Sequence, residues 1–143
     1  MEVRGINYER IRLLKLFNEE AYLTIANFEM RRKLAQFRLS AHKLAIETAR
    51  YNGKNRYVPP ENRLCQSCNG HKMEDEQHFL IECQKYEHFR EVLFKAVSDK
   101  NPHFKQYSVH QKFVWLMIND DIEVLKSMAH FMIKAFEIRD KSN

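Results

Sequence analysis

The sequence predicts a mainly α-helical fold, a small helical bundle with a cysteine and histidine segment at its middle. Three observations carry this. Apolar residues recur at spacings of three and four over most of the chain. Only three Gly and three Pro occur in 143 residues, too few for the many turns of an all-β fold. The cysteines all fall within one short stretch, Cys65 to Cys83, flanked by helical patterns on both sides.

Taken in order, Asn7 to Glu20 reads as a helix with Ile11, Leu14 and Phe17 on one side. The next apolar stripe runs through Ala26, Met30, Leu34, Phe37, Ala41 and Leu44, which predicts one helix with a break near Ser40. At about 100° per residue, Arg31, Arg38 and His42 share one flank of it, and Arg32, Lys43 and Arg50 the next. Tyr51-Asn52-Gly53 is expected to close that helix, with Gly as its cap. Lys54 to Arg63, with Pro59-Pro60, reads as a basic loop into the cysteines. Beyond them, helices are predicted over Tyr86 to Val97 and over Val109 to Ile118, the second capped by Ser108. Because Phe113 to Ile118 is apolar without a break, that helix should be deeply buried. Asp120-Asp121 opens a last helix with Val124, Leu125, Met128, Phe131, Met132, Ala135 and Phe136 on its inner face. Its basic end, Arg139 and Lys141, suits the helix dipole. No repeat and no strand longer than the turns around the cysteines is expected.

The length fits a single domain, residues 1–143, with 64–84 as a segment inside it. No apolar run reaches the length of a membrane span, and Met1-Glu2-Val3-Arg4-Gly5 lacks a signal-peptide core. An odd cysteine count with a close pair makes a poor disulfide framework and points to an intracellular metal site. The formal charge is +5, unevenly spread. Residues 31–63 hold nine basic side chains against Glu47 and Glu61, a net +7 that leaves −2 for the rest. Such a concentration suits an anionic partner, nucleic acid above all, and a solvated basic face is the plain alternative.

The cysteine segment reads Cys65-x2-Cys68-x9-His78-x4-Cys83. Zn²⁺ takes four nitrogen or sulfur ligands in a tetrahedron, and a Cys-x2-Cys knuckle turns two thiolates toward one point. Asn69-Gly70 reverses the chain behind it. His78 and Cys83 then follow from a helical run, Glu74 to Cys83. His71 competes as the fourth ligand but sits too close to Cys68. A buried pair of plain cysteines, or a redox Cys-x-x-Cys, is the competing reading, and the latter lacks its usual βαβ setting. Four protein ligands leave no open position, so the site is expected to be structural, not catalytic. Glu74-Asp75-Glu76 reads as the acidic first turn of a helix, not as a catalytic cluster. No nucleophile has a base and orienter, no phosphate loop occurs, and neither an enzyme nor a small-molecule substrate is indicated.

Two stretches together resemble a known family. Phe37-Arg38-Leu39-Ser40-Ala41-His42-Lys43-Leu44 and the run on to Arg50-Tyr51 are followed by Arg63-Leu64-Cys65-Gln66-Ser67-Cys68. Then come Glu74-Asp75-Glu76-Gln77-His78-Phe79-Leu80-Ile81-Glu82-Cys83, with Tyr86 and Arg90 beyond. This is similar to the region behind the polymerase in non-LTR retrotransposon reverse transcriptases, where an Arg-Leu-Ser-x-His-Lys-Leu helix precedes a zinc knuckle. Ala49 stands where that family usually has Gly, and Gln84 where Pro is common. The polymerase's aspartate motif and any endonuclease are missing from this sequence. The resemblance implies a non-catalytic accessory that engages template RNA or target DNA beside the polymerase domain of a parent protein, within the nucleus. The residues it implies for phosphate contact are Arg32, Arg38, His42, Lys43, Arg50, Arg56 and Arg63, with Tyr51 and Tyr57 stacking on unpaired bases. Equally open is a structural use of Arg38 and His42, paired with Glu47 or Glu74, and of Tyr51, packed against the knuckle. A zinc-stabilised protein-interaction module is the alternative function.

Overall fold

The computed structural model describes residues 21–142, and the helix expected over Asn7 to Glu20 lies outside them. Within them the chain is mainly helical, with no extended sheet; its pairings are two isolated antiparallel bridges, Tyr51 with Tyr57 and Leu64 with Met73. We label the α-helices α1 (Phe28–Arg38), α2 (Ala45–Thr48), α3 (Glu87–Lys100), α4 (Val109–Ile118) and α5 (Ile122–Ser142).

Helix α5 is the axis of the bundle. Val124, Leu125, Met128, Phe131, Met132, Ala135 and Phe136 are all buried along it, the face its spacing predicts. Helix α1 packs on one side of α5 and α3 on another. Each buried Leu, Met or Phe contributes about 1.5–3 kcal/mol, so this axis supplies much of the folding free energy.

The termini follow the expected chemistry where side chains can cap. Asn27 accepts from Met30 N–H at the start of α1. Ser108 and Gln111 form a reciprocal capping box on α4. Asp121 accepts from the N–H groups of Glu123 and Val124.

Three expectations are corrected. The stripe from Ala26 to Leu44 is not one helix. Helix α1 ends at Arg38 in a Schellman motif, with Ser40 in the left-handed position at φ 56°. Ala41 N–H returns to Gln36 C=O at 2.8 Å and Ser40 N–H to Phe37 C=O at 3.3 Å. Ser fills a position that favours Gly because its Oγ donates to Glu76 Oε1 at 3.0 Å, a tertiary contact that overrides local periodicity. The shared flanks assigned to Arg38 and His42, and to Arg32, Lys43 and Arg50, therefore do not exist.

Gly53 caps no helix either. Residues 50–58 form a hairpin, with Asn52 N–H donating to Arg56 C=O and Val58 N–H to Arg50 C=O. Asn52 Oδ1 closes its turn by accepting from the N–H groups of Lys54 and Arg56. Helix α4 is not buried all round: Phe113, Leu116 and Met117 face the core, while Val109 and Ile118 are exposed and Trp115 is half-buried against Phe104.

Candidate metal centre

Cys65 and Cys68 sit on a narrow loop held at its neck by main-chain bonds. Cys65 N–H donates to Lys72 C=O at 2.8 Å and Glu74 N–H to Arg63 C=O at 2.9 Å. Between them, Ser67 N–H donates to Cys65 Sγ at 3.4 Å, which turns the backbone so that both sulfurs face inward. The reversal predicted at Asn69-Gly70 is made one residue later, by His71 at φ 48°. His71 itself is exposed and stands outside the cluster.

The other two donors come from a turn of wider bore. Residues His78–Glu82 form a π-helix, closed by Cys83 N–H donating to His78 C=O at 2.7 Å. In an ordinary α-helix residues five apart point about 140° away from each other. The i→i+5 bond stacks Cys83 over His78 instead, so both reach the knuckle. Asp75 Oδ1 caps this turn by accepting His78 N–H at 2.8 Å.

The carbonyls at its far end are taken by Arg90 of α3. Its guanidinium donates to Leu80 C=O at 2.9 Å, Phe79 C=O at 3.2 Å and Cys83 C=O at 2.8 Å. Burial lowers the pKa of Arg90, and its three carbonyl partners compensate for its lost water. Tyr86, one helical turn before, is fully buried against Phe79 and reaches Ser67 Oγ with its hydroxyl. Burial raises that hydroxyl to about 12.

Sγ of Cys65, Cys68 and Cys83 and a ring nitrogen of His78 all lie within 4.8 Å of one another, a group that could hold a metal ion. Cys65 Sγ is 3.9 Å from Cys83 Sγ, far beyond the disulfide length of about 2.05 Å. Cys68 Sγ is 3.5 Å from His78 Nε2, which makes Nε2 the donor atom. The Cys65 thiol is lowered to about 3, chiefly by its contact with the Cys83 thiol, with burial opposing and His78 assisting. Cys83 is raised by the same contact and by burial. Three of the four donors are buried, so a bound cation would have little water around it.

The centre is tied to the core on two sides. Phe79, next to His78, is fully buried among Phe37, Tyr86, Phe131 and Phe136, stacked on the last at 4.4 Å between centroids. Glu74 is the second tie. Its carboxylate takes a bidentate contact from Arg139 of α5, at 2.6 and 3.0 Å, and a third hydrogen bond from Ala45 N–H at 2.7 Å. The acidic run is therefore no simple first turn: Asp75 caps, while Glu74 and Glu76 bind distant side chains. Sequence alone offered no signal for the Glu74–Arg139 pair, because 65 positions separate its members.

The residues expected to meet nucleic acid divide into two groups. Arg38, His42 and Arg63 are turned inward, which corrects their assignment as phosphate contacts. Arg38 is buried with its guanidinium over the Tyr22 ring. The His42 side chain is 2% exposed, with Nε2 2.9 Å from Glu76 Oε1, so its partner is Glu76 and not Glu47 or Glu74. Arg63 donates to Val58 C=O and Ile46 C=O from beneath the hairpin.

Arg32, Lys43, Arg50 and Arg56 are exposed, with Arg50 paired to Glu47. Tyr51 and Tyr57 are 63% and 60% exposed and form a T-shaped pair on the hairpin, 6.1 Å between centroids. Tyr51 is therefore not packed against the knuckle. Among the described residues no helix is long and apolar enough to cross a membrane. Comparison with protein-family models, curated proteins and solved structures finds no match to this chain.

Proposed function

We propose that this chain is a non-catalytic zinc-binding domain that engages nucleic acid. On this reading it serves as an accessory part of a retrotransposon reverse transcriptase, beside the polymerase domain of the parent protein and within the nucleus. The observation that carries it is the 50–58 hairpin, which presents Tyr51 and Tyr57 to solvent among Arg50, Lys54 and Arg56. Exposing two large aromatics forfeits their burial energy, which favours a stacking role. Base–aromatic stacking contributes about 1–3 kcal/mol per base, and neighbouring cations neutralise the backbone. Arg63, its guanidinium 5.4 Å from the Tyr57 ring centre, holds that ring from the protein side.

Zinc is the ion that the donor set favours. Three thiolates and one imidazole suit Zn²⁺, whose bond lengths of about 2.3 Å to sulfur and 2.0 Å to nitrogen set S···S near ~3.8 Å and S···N near ~3.5 Å in a tetrahedron. The 3.9 and 3.5 Å separations match both. With every position taken by protein, the ion holds structure and leaves no place for a reacting water. Its chemistry is to clamp knuckle and π-turn together, so that the hairpin has a rigid base.

The alternative, a zinc-stabilised protein-interaction module, draws support from Val109 and Ile118, exposed on α4 beside Trp115. One titration separates the two. Fluorescence anisotropy with single- and double-stranded DNA and RNA, over a range of salt, should give log Kd rising with log salt. Tyr51→Ala should weaken single strands more than duplex. No binding of any of the four nucleic acids at low salt leaves the interaction module in place.

A further inference from the structure

A concave cleft lies where α1 meets the last turns of α5, about 190 Å³ in volume. Arg32, Lys33 and Lys43 line it, together with the Gln36 amide. Its floor includes the Phe136 ring, over which Lys33 holds its ammonium at 5.4 Å from the centroid.

What marks these three cations is that they gather in one concavity with no carboxylate within 4.0 Å of any of them among the described residues. Arg50, Lys72, Lys100, Lys126, Arg139 and Lys141 each lie within 4.0 Å of a carboxylate. Among the described residues, Arg32, Lys33 and Lys43 make no such pair. The one acid lining the cleft, Asp140, sits 3.9 Å from Arg139 Nη1. Gathering like charges in a concavity beside the Phe37 and Phe136 rings costs Coulomb energy and focuses a positive potential there. An anion relieves that cost.

We propose that this cleft is a seat for a phosphate group. Arg32 offers a planar fork to two oxygens, Lys33 and Lys43 act as point charges, and the Gln36 amide adds a neutral donor. The volume falls below the roughly 300–1,000 Å³ of pockets that enclose whole small ligands. A phosphate within a strand, with its sugar and base outside, therefore fits better than an enclosed nucleotide. That the phosphate belongs to a strand rests on the function proposed above; the seat itself does not.

The test uses the full zinc-loaded chain in two arms. In the first, inorganic phosphate is titrated into labelled protein and followed by NMR. Resonances of Arg32, Lys33, Gln36 and Lys43 shift, and those of the hairpin do not. In the second, a fluorescein-labelled single strand is bound across a salt series. Arg32→Ala, Lys33→Met and Lys43→Ala each lower the salt slope by about one, and a neutral methylphosphonate backbone abolishes the difference between variants and parent. Circular dichroism confirms that the variants fold, as expected for side chains on the rim.

If phosphate shifts nothing in the cleft and the Arg32→Ala/Lys43→Ala double variant keeps the parental slope, the seat is overturned. Nucleic-acid binding then stands or falls on the hairpin. If the strand fails to bind at low salt but phosphate still shifts the cleft, the seat stands and the nucleic-acid reading falls. A poly-glutamate peptide that competes as well as the strand would overturn phosphate as the ligand.

Discussion

Replacing Glu74 with Ala should remove a large share of the stability of this domain, although residue 74 is not among the four residues of the cluster. The carboxylate is 3% exposed and accepts three hydrogen bonds, two from Arg139 and one from Ala45 N–H. Burial on its own would lower the Arg139 pKa, but the bonds to Glu74 raise it, so the guanidinium stays charged throughout. Deleting the carboxylate leaves that charge with only the half-exposed Asp140, 3.9 Å away, at about 3 kcal/mol. It also strands the Ala45 N–H, at about 1–3 kcal/mol. Water entering the space left behind trims the sum, and we expect about 4 kcal/mol, against a total of roughly 5–15 kcal/mol for a domain. At roughly 3 °C per kcal/mol for this size, Tm should fall by about 12 °C. The assay is urea unfolding of the zinc-loaded protein, followed by circular dichroism. The double variant Glu74→Leu/Arg139→Met should be less destabilised than the sum of its single changes by at least about 2 kcal/mol. A Glu74→Ala cost below about 1 kcal/mol, with an unchanged denaturant slope, would falsify the claim that this pair fastens the centre to α5.

On the zinc reading proposed above, removing the metal should be more damaging still. A strong chelator, or Cys68→Ser, should melt at least residues 64–90, since structural zinc contributes on the order of 10–16 kcal/mol in apparent terms; an unchanged melting curve after chelation defeats this. At the end of α1, Ser40→Gly should change stability little. Relief of the left-handed strain, about 1 kcal/mol, offsets loss of the bond to Glu76, also about 1 kcal/mol. Ser40→Ala loses the bond without relief and should cost about 1 kcal/mol, so equal costs for the two in urea melts would rule the account out. At α5, Asp121→Ala should cost about 1 kcal/mol. The pKa of Asp121 lies below its ordinary 3.8, chiefly because Val124 N–H donates to it. Its contribution is therefore complete above about pH 4, fades as pH falls through that lowered value, and is softened by solvent. Asp121→Asn should keep the cap and flatten that part of the pH profile, which unfolding midpoints between about pH 2 and 6 can read.

The cysteine–histidine cluster was legible because chemistry fixes residue type and spacing together, and the structure brings Cys65, Cys68, His78 and Cys83 to one place. The inner face of α5 was legible because seven buried positions at helical spacing leave one way to pack. A break at Ser40 is readable in the sequence, but the course of the chain beyond it is not. A stripe of period 3.6 continues on paper through Ala41 and Leu44, whereas the chain is redirected there by bonds to Glu76 from Ser40 and His42. The same long-range contacts misassigned the cations. Sequence registers that Arg38, His42 and Arg63 are basic, but not that two backbone carbonyls hold Arg63 or that Glu76 holds His42. The cleft of Arg32, Lys33 and Lys43 was hidden for a related reason, since it joins α1 to a helix about a hundred positions away.

The π-turn at His78–Glu82 also makes the chain intolerant of added length at one place and indifferent to it at another. Inserting one residue between His78 and Cys83 rotates the last sulfur by about 100° and removes it from the cluster, whereas deleting one leaves an ordinary α-turn in which residues four apart share a face. The same insertion at the hairpin tip, Asn52 to Asn55, displaces no donor atom. Natural variants of this chain should therefore hold no more than four residues between the last histidine and cysteine of the cluster while the tip varies freely in length. A single-residue insertion series across both segments, scored by zinc retained after gel filtration, would map that boundary.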